Sequence, residues 1–335
     1  MTTTDALGER ALGGAAAPSG PASEGGEAIL GRTQWQIFWR RFRSHKMAVV
    51  SIIVLFALAF LSIFGPSLPI TPEDVKGGEA ANPLLISSAT SVAQAPTADH
   101  PFGVANAGHD VMRLIWLGGR ISLTVGLAVA LISVIVGSLV GALAGFFGGW
   151  IDYALMRVTD VLFAIPPLPL QLAFASVALQ ESGPLSNFLN DLGSTWRTVI
   201  VISLLSWMPV ARLVRAEFLS LKEREFVQAA RALGASRTRI IVRHMLPNSV
   251  GAIVVNGTLT VALAILTEAA LSFLGVGANN SWGQMIINGV RDSLSDISNV
   301  WWLILYPGAF IIITVLSVNF IGDGLRDALD PYGKR

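Results

Sequence analysis

Six apolar runs constrain this 335-residue chain more than any other feature. They lie at about residues 47–64, 121–145, 153–179, 198–214, 249–274 and 301–321. Each approaches or exceeds the roughly 20 residues that a helix needs to cross a hydrocarbon core. A bilayer offers no partner for backbone N–H and C=O groups, so such runs must be helices that bond internally. With 53% hydrophobic and 13% charged residues, the chain is too apolar for a soluble domain of this length. The expected fold class is all-α, a polytopic membrane protein with six transmembrane helices. Cys is absent, which excludes disulfides and thiolate metal sites.

The regions between the runs set the organisation. Residues 1–31, rich in Ala, Gly, Pro, Thr and Ser, are predicted to be disordered and do not read as a signal peptide. Residues 32–65 combine an amphipathic helix with the first span. Trp35, Phe38, Trp39 and Phe42 recur at helical spacing beside Arg40, Arg41, Arg43, His45 and Lys46, a pattern suited to an anionic membrane surface. A nucleic-acid patch is the competing reading, which the adjoining span disfavours. Residues 66–120 read as an extracytoplasmic segment with little regular structure, 121–321 as a five-helix core with a cytoplasmic loop at 220–248, and 322–335 as a cytoplasmic tail.

Six spans put both termini on one side. With the N-terminus inside, 18 of the 23 Lys and Arg fall inside and only Lys76, Arg113, Arg120, Arg197 and Arg291 outside. The positive-inside rule therefore predicts cytoplasmic termini.

Within the spans, Gly137, Gly141 and Gly145 form a tandem ridge that lets another helix approach closely. Pro166 and Pro167 interrupt the third span, which calls for packing in the bundle interior or for lining a pore. Glu268 stands out near the outer end of the fifth run, where an intramembrane carboxylate marks either a translocation path or gate or a bond between helices. Outside, His100, His109 and Asp110 offer metal-binding side chains, against the simpler alternative of a solvated loop, and no metal site is expected.

The cytoplasmic loop is polar and basic. Glu225 to Leu233 favours a helix, with Phe226, Ala229, Ala230 and Leu233 as its small apolar stripe. Gly234 suits a left-handed C′ position, Ser236 an N-cap for a second piece running to about His244, and Pro247 a new start. A solvated loop and a docking knob both fit these residues. No Walker A motif is present: Lys46, Lys76, Lys222 and Lys334 are followed by Met, Gly, Glu and Arg. No nucleophile elbow or paired carboxylates occur either, so an enzyme is not expected. A secondary transporter or channel independent of ATP is the alternative; a lone Glu268 is little support for ion coupling.

The spacing of Ala229-Ala230, Gly234 and Leu246-Pro247 resembles the "EAA" loop of permease subunits in ATP-binding-cassette (ABC) importers, with Gln228 where that motif usually has Glu. Trp39-Arg40-Arg41-Phe42-Arg43, His100-Pro101-Phe102-Gly103, Glu268-Ala269-Ala270-Leu271-Ser272-Phe273-Leu274-Gly275 and Ser281-Trp282-Gly283 are similar to the C-type transmembrane subunit of the dipeptide/oligopeptide/nickel permease family. So is the ending Gly322-Asp323-Gly324-Leu325-Arg326-Asp327. Departures lie outside: Val104-Ala105 and Gly108-His109-Asp110 replace the usual residues, and no proline stands between Gly277 and Ser281.

The resemblance implies a type I ABC importer permease fold in a bacterial inner membrane and transport of di- or oligopeptides. It implies a heterodimer with a paralogous permease, two ABC ATPase subunits and an external substrate-binding protein. ATP and Mg would be bound by the ATPase subunits, and this chain would hold no cofactor. ATPase coupling would fall to Glu225, Phe226, Gln228, Ala229, Ala230, Leu233, Gly234, Ala235 and Pro247, within a coupling helix at about 222–236.

Overall fold

The computed structural model describes residues 34–67, 93–106, 109–179, 184–292 and 300–329. The stretch 1–31 expected to be disordered, much of the outside segment (68–92) and the end of the tail (330–335) lie outside the described residues. The described residues are mostly helical, with one short antiparallel pair, β1 (Val104–Ala105) and β2 (His109–Asp110), and a bridge from Gln94 to Val104.

Helix α1 (Gln34–Ser44) leads at His45 into α2 (Lys46–Phe64). His45 Nδ1 accepts from the Ala48 N–H at 3.1 Å and so caps α2. The aromatic face of α1 is pinned rather than free. Phe42 is buried with Ala48 and Ala328, and Phe38 and Leu325 pack against them, while Trp39, Arg40 and Arg43 stay exposed.

The long α3 (Val111–Phe147) is the mast of the bundle. Its 37 residues span about 55 Å at roughly 1.5 Å per residue, well beyond a hydrocarbon core. It begins at Val111 rather than near residue 121 because Asp110 caps it, Oδ1 accepting from the Arg113 N–H at 3.1 Å. Asp110 Oδ2 faces His100 Nδ1 at 3.1 Å, so this pair fastens the outside hairpin to the mast.

Two bent pairs follow: α4 (Gly149–Phe163) with α5 (Pro167–Leu179), and, after α6 (Pro184–Asp191), α7 (Gly193–Ser206) with α8 (Met208–Lys222). Their bends are 87° and 40°. Next come α9 (Glu225–Ala232), α10 (Arg237–Ile240), α11 (Leu246–Phe273), α12 (Trp282–Asp292) and α13 (Trp302–Leu329). Among the described residues, four single helices are long and apolar enough to cross a membrane, and each bent pair counted as one span brings the number to six. The stretches 181–197 and 275–300, between the apolar runs, contain α6, the start of α7, and α12.

The glycine ridge of α3 seats α8. A Cβ on Gly137 would lie 2.6 Å from Val210 Cβ, and one on Gly145 would lie 2.6 Å from Phe218 Cβ. With no side chain at these positions the two backbones approach closely, the condition for van der Waals association in lipid.

Pro166 and Pro167 correct an expectation. The break they cause does not pack in the interior of this chain; both are exposed. The backbone at the break bonds locally, Ala164 N–H to Asp160 O at 3.0 Å and Leu170 N–H to Pro166 O at 3.4 Å. Pro247 corrects another. Helical backbone runs without interruption from Arg237 to Phe273. A π-turn at Ile241–Met245 sits just before the proline, and the Leu246 N–H bonds Ile241 O. The wider turn leaves room for a ring that would otherwise clash with the carbonyl four residues back.

Candidate coupling site

The knob between α8 and α11 is closed by its backbone. Gly234 takes φ +78°, the left-handed region that a glycine enters without steric cost. Gly234 N–H donates to Arg231 O and Ala235 N–H to Ala230 O, both at 3.0 Å, the paired bonds of a Schellman motif. Ser236 then caps α10 through the Arg239 N–H at 3.4 Å. Glu225 lies in the first turn of α9, where an acidic side chain suits the helix dipole. The Gln228 side-chain amide donates to Glu223 O at 3.1 Å, tying the helix to the turn before it.

The apolar stripe of Phe226, Ala229, Ala230 and Leu233 divides between two faces. Val227, absent from that stripe, is fully buried with Phe146, Val214, Phe218, Ile240 and Met245. Ala230 and Ala235 pack against this cluster, whereas Phe226, Ala229 and Leu233 point out. Leu233 is 88% exposed and Phe226 40%. The Val227–Ala230 spacing of three carried this signal, but the larger Phe226 and Leu233 overshadowed it. The result is a rigid knob that offers an apolar, unshielded face. Pro247 stands at the head of α11 and is also exposed.

Two ion pairs that the sequence reading missed brace the same end. Arg215 reaches Asp152 with Nε at 2.5 Å and Nη2 at 2.8 Å. Arg212 Nη2 reaches Asp160 at 2.7 Å while its guanidinium lies 4.1 Å over the Phe163 ring. Both link α8, which leads into the knob, to α4. Arg212 and Arg215 one turn apart, facing Asp152 and Asp160 about two turns apart, were the available signal.

Glu268 belongs to a separate cluster at the outer end. It is 0% exposed. Ser122 Oγ donates to Oε2 at 2.8 Å and Ser272 Oγ to Oε1 at 2.6 Å. The Trp282 N–H lies 3.4 Å from Ser122 Oγ, and its indole N–H donates to Ile115 O at 2.9 Å. The carboxylate thus knots α3, α11 and the head of α12. Glu268→Ala is expected to destabilise the chain by about 1–3 kcal/mol, because buried hydroxyls lose their acceptor. Thermal unfolding in detergent reads this, and Glu268→Gln, which keeps an acceptor oxygen, should lose less. Equal losses for Ala and Gln would show that the bonds contribute nothing.

Residues 137–332 match the family model described as "Binding-protein-dependent transport system inner membrane component". The chain belongs to this family. Residues 33–85 also match the N-terminal transmembrane domain of oligopeptide transport permease C. The permease component is 39% identical over 306 residues to the oligopeptide transport system permease protein OppC of Escherichia coli K12, covering 90% of this chain and 93% of that one. It is 39% identical over 296 residues to a putative peptide permease protein of Brucella ovis, covering 87% and 89%. The OppC protein of Bacillus subtilis is 34% identical over 320 residues, 95% of each chain. A chain of the inward-facing MetNI methionine ABC transporter superposes with a TM-score of 0.53 at 17% identity, covering 66% of this chain and 98% of that one. That likeness concerns the fold, which is that of an ABC importer permease. The permease component is therefore a multi-pass, non-catalytic inner-membrane subunit of a transport system.

Proposed function

We propose that this chain is one of two permease subunits of an ATP-driven importer for di- or oligopeptides. Peptides are the named cargo of the relatives from Escherichia coli, Bacillus subtilis and Brucella. A paralogous permease completes the heterodimer, two ABC ATPase subunits bind ATP and Mg, and an external binding protein delivers the peptide. The termini lie in the cytoplasm, in keeping with the excess of Lys and Arg assigned to that side. The exposed faces of Pro166 and Pro167 suit a surface that a second subunit completes into a path. Glu268 acts on that path from behind, by holding α12 against the spans.

The observation that carries this reading is the apolar face of a stiff knob, Phe226, Ala229 and Leu233 standing free beside a tightly packed Val227. Exposed apolar anchors on a rigid scaffold are what a protein partner buries. Closure of the ATPase dimer pulls on this face, and α8 and α11, which flank it, carry the movement into the bundle. The ion pairs to Asp152 and Asp160 pass it on to α4.

Leu233→Asp combined with Phe226→Asp is expected to lower ATPase co-purification at least tenfold, with the chain still in the membrane. Loss of one buried anchor costs about 2 kcal/mol or more at an interface centre, and about 1.4 kcal/mol is tenfold in affinity. Undiminished co-purification would remove the knob from the interface.

A further inference from the structure

A cavity of about 530 Å³ lies on the bundle side of the knob. Phe146, Phe147 and Ile240 form its apolar walls, and Lys222, Arg231 and Arg237 are its charged lining. No carboxylate lines it, and none of the three cations forms an ion pair with one among the described residues. The Arg237 guanidinium instead sits 5.9 Å from the Phe147 ring centroid. Its volume is within the roughly 300–1,000 Å³ typical of small-ligand sites. Lys222 and Arg231 stand in the last turns of α8 and α9, which suits the helix dipole. That does not explain why cations from three elements turn to one cavity.

Just beyond Phe147 along the chain, Trp150 and Tyr153 are 79% and 66% exposed. Exposed Trp and Tyr at the end of a span mark the interface between headgroups and acyl chains. We propose that this cavity binds the phosphate headgroup of an anionic phospholipid of the inner leaflet, with its acyl chains along Phe147 and Trp150. The cations come from α8, the knob and α10, so a bound headgroup bridges the knob to the spans. Basic pockets at the cytoplasmic ends of helices take such headgroups. An acidic segment of a partner protein would meet the same cations, but it has no use for the aromatic wall at membrane depth.

The test is native mass spectrometry of the purified, delipidated complex after exposure to nanodiscs of phosphatidylglycerol or phosphatidylcholine. The complex should retain phosphatidylglycerol in preference to phosphatidylcholine, by on the order of a hundredfold for three cations near a membrane surface. The triple variant Lys222→Gln, Arg231→Gln, Arg237→Gln should lose that preference. The charge-conserving triple variant Lys222→Arg, Arg231→Lys, Arg237→Lys should keep most of it, which separates charge from misfolding. Equal retention of the two lipids, or retention unchanged in the glutamine variant, would overturn the site. Displacement of the lipid by millimolar inorganic phosphate would make it a free-anion site and overturn the lipid assignment. So would loss of the ATPase subunits from the glutamine variant while its phosphatidylglycerol remained. Lipid retention is read without transport, so its failure is distinct from failure of the peptide-importer reading.

Discussion

Gly141→Val is expected to leave little or no folded chain in the membrane. A Cβ at this position would fall on the Ala211 carbonyl oxygen, 2.8 Å from Val214 Cβ and 3.0 Å from the Arg215 N–H nitrogen. Two of these neighbours are backbone atoms of α8, so no rotamer change relieves the contact. Overpacking in a well-filled core costs about 1–3 kcal/mol where side chains can adjust, and here the helices must separate. Separation would also undo the seats at Gly137 and Gly145 and pull Val214 and Phe218 away from Val227. In lipid there is no hydrophobic drive to restore the pair. The measurement is the yield of chain in the membrane fraction and its monodispersity in detergent. Leu139→Val on the exposed face of the same helix is the control and should behave as wild type. Wild-type yield and stability for Gly141→Val would mean that α3 and α8 do not meet as described.

Gly234→Val is expected to act differently, cutting uptake while sparing the fold. Nothing lies within 4 Å of a Cβ at this position, so the substitution meets no clash. Its cost is conformational: φ +78° forces a β-branched residue into the left-handed region, at about 1–2 kcal/mol. That is too little to unfold the bundle, yet it is a factor of roughly 5–30 in any local equilibrium. The local equilibrium at stake is the Schellman closure, which aims Phe226 and Leu233. The eight-residue α9 is too short to hold its shape without that closure and the Val227 anchor. Uptake should fall by roughly 5–30-fold while ATP hydrolysis by the complex continues. Gly234→Asn, which tolerates left-handed backbone, should retain most of the activity. Wild-type uptake by Gly234→Val would show that the aim of the knob does not matter.

The bundle was legible because its signals are crude and local. Apolar runs of about twenty residues have one solution in lipid, and Gly137, Gly141 and Gly145 announced a close neighbour without saying which helix it is. Boundaries were less legible. The start of α3 at Val111 depends on a cap from Asp110, and the polar Arg113 and Arg120 hide those turns from a hydropathy reading. Pro247 looks like a break in any sequence, and only the π-turn before it reveals a continuous helix.

The knob shows a deeper limit. Large apolar side chains at helical spacing read as the packed face, and Phe226 and Leu233 satisfy that rule. Here they are the open face, which the proposed function assigns to a partner chain. Pro166 and Pro167 likewise read as interior from the sequence and are exposed in this chain. A partner that forms in space rather than along the chain was also out of reach: Glu268 with Ser122.

The most direct measurement places the chain, the proposed paralogous permease and the proposed ATPase subunits in liposomes and follows uptake of a labelled oligopeptide. Uptake is predicted only with ATP on the face that carries Phe226 and Leu233 and with the binding protein on the opposite face. Uptake by this chain alone, without ATP, would contradict a subunit that borrows its driving force through one small helix.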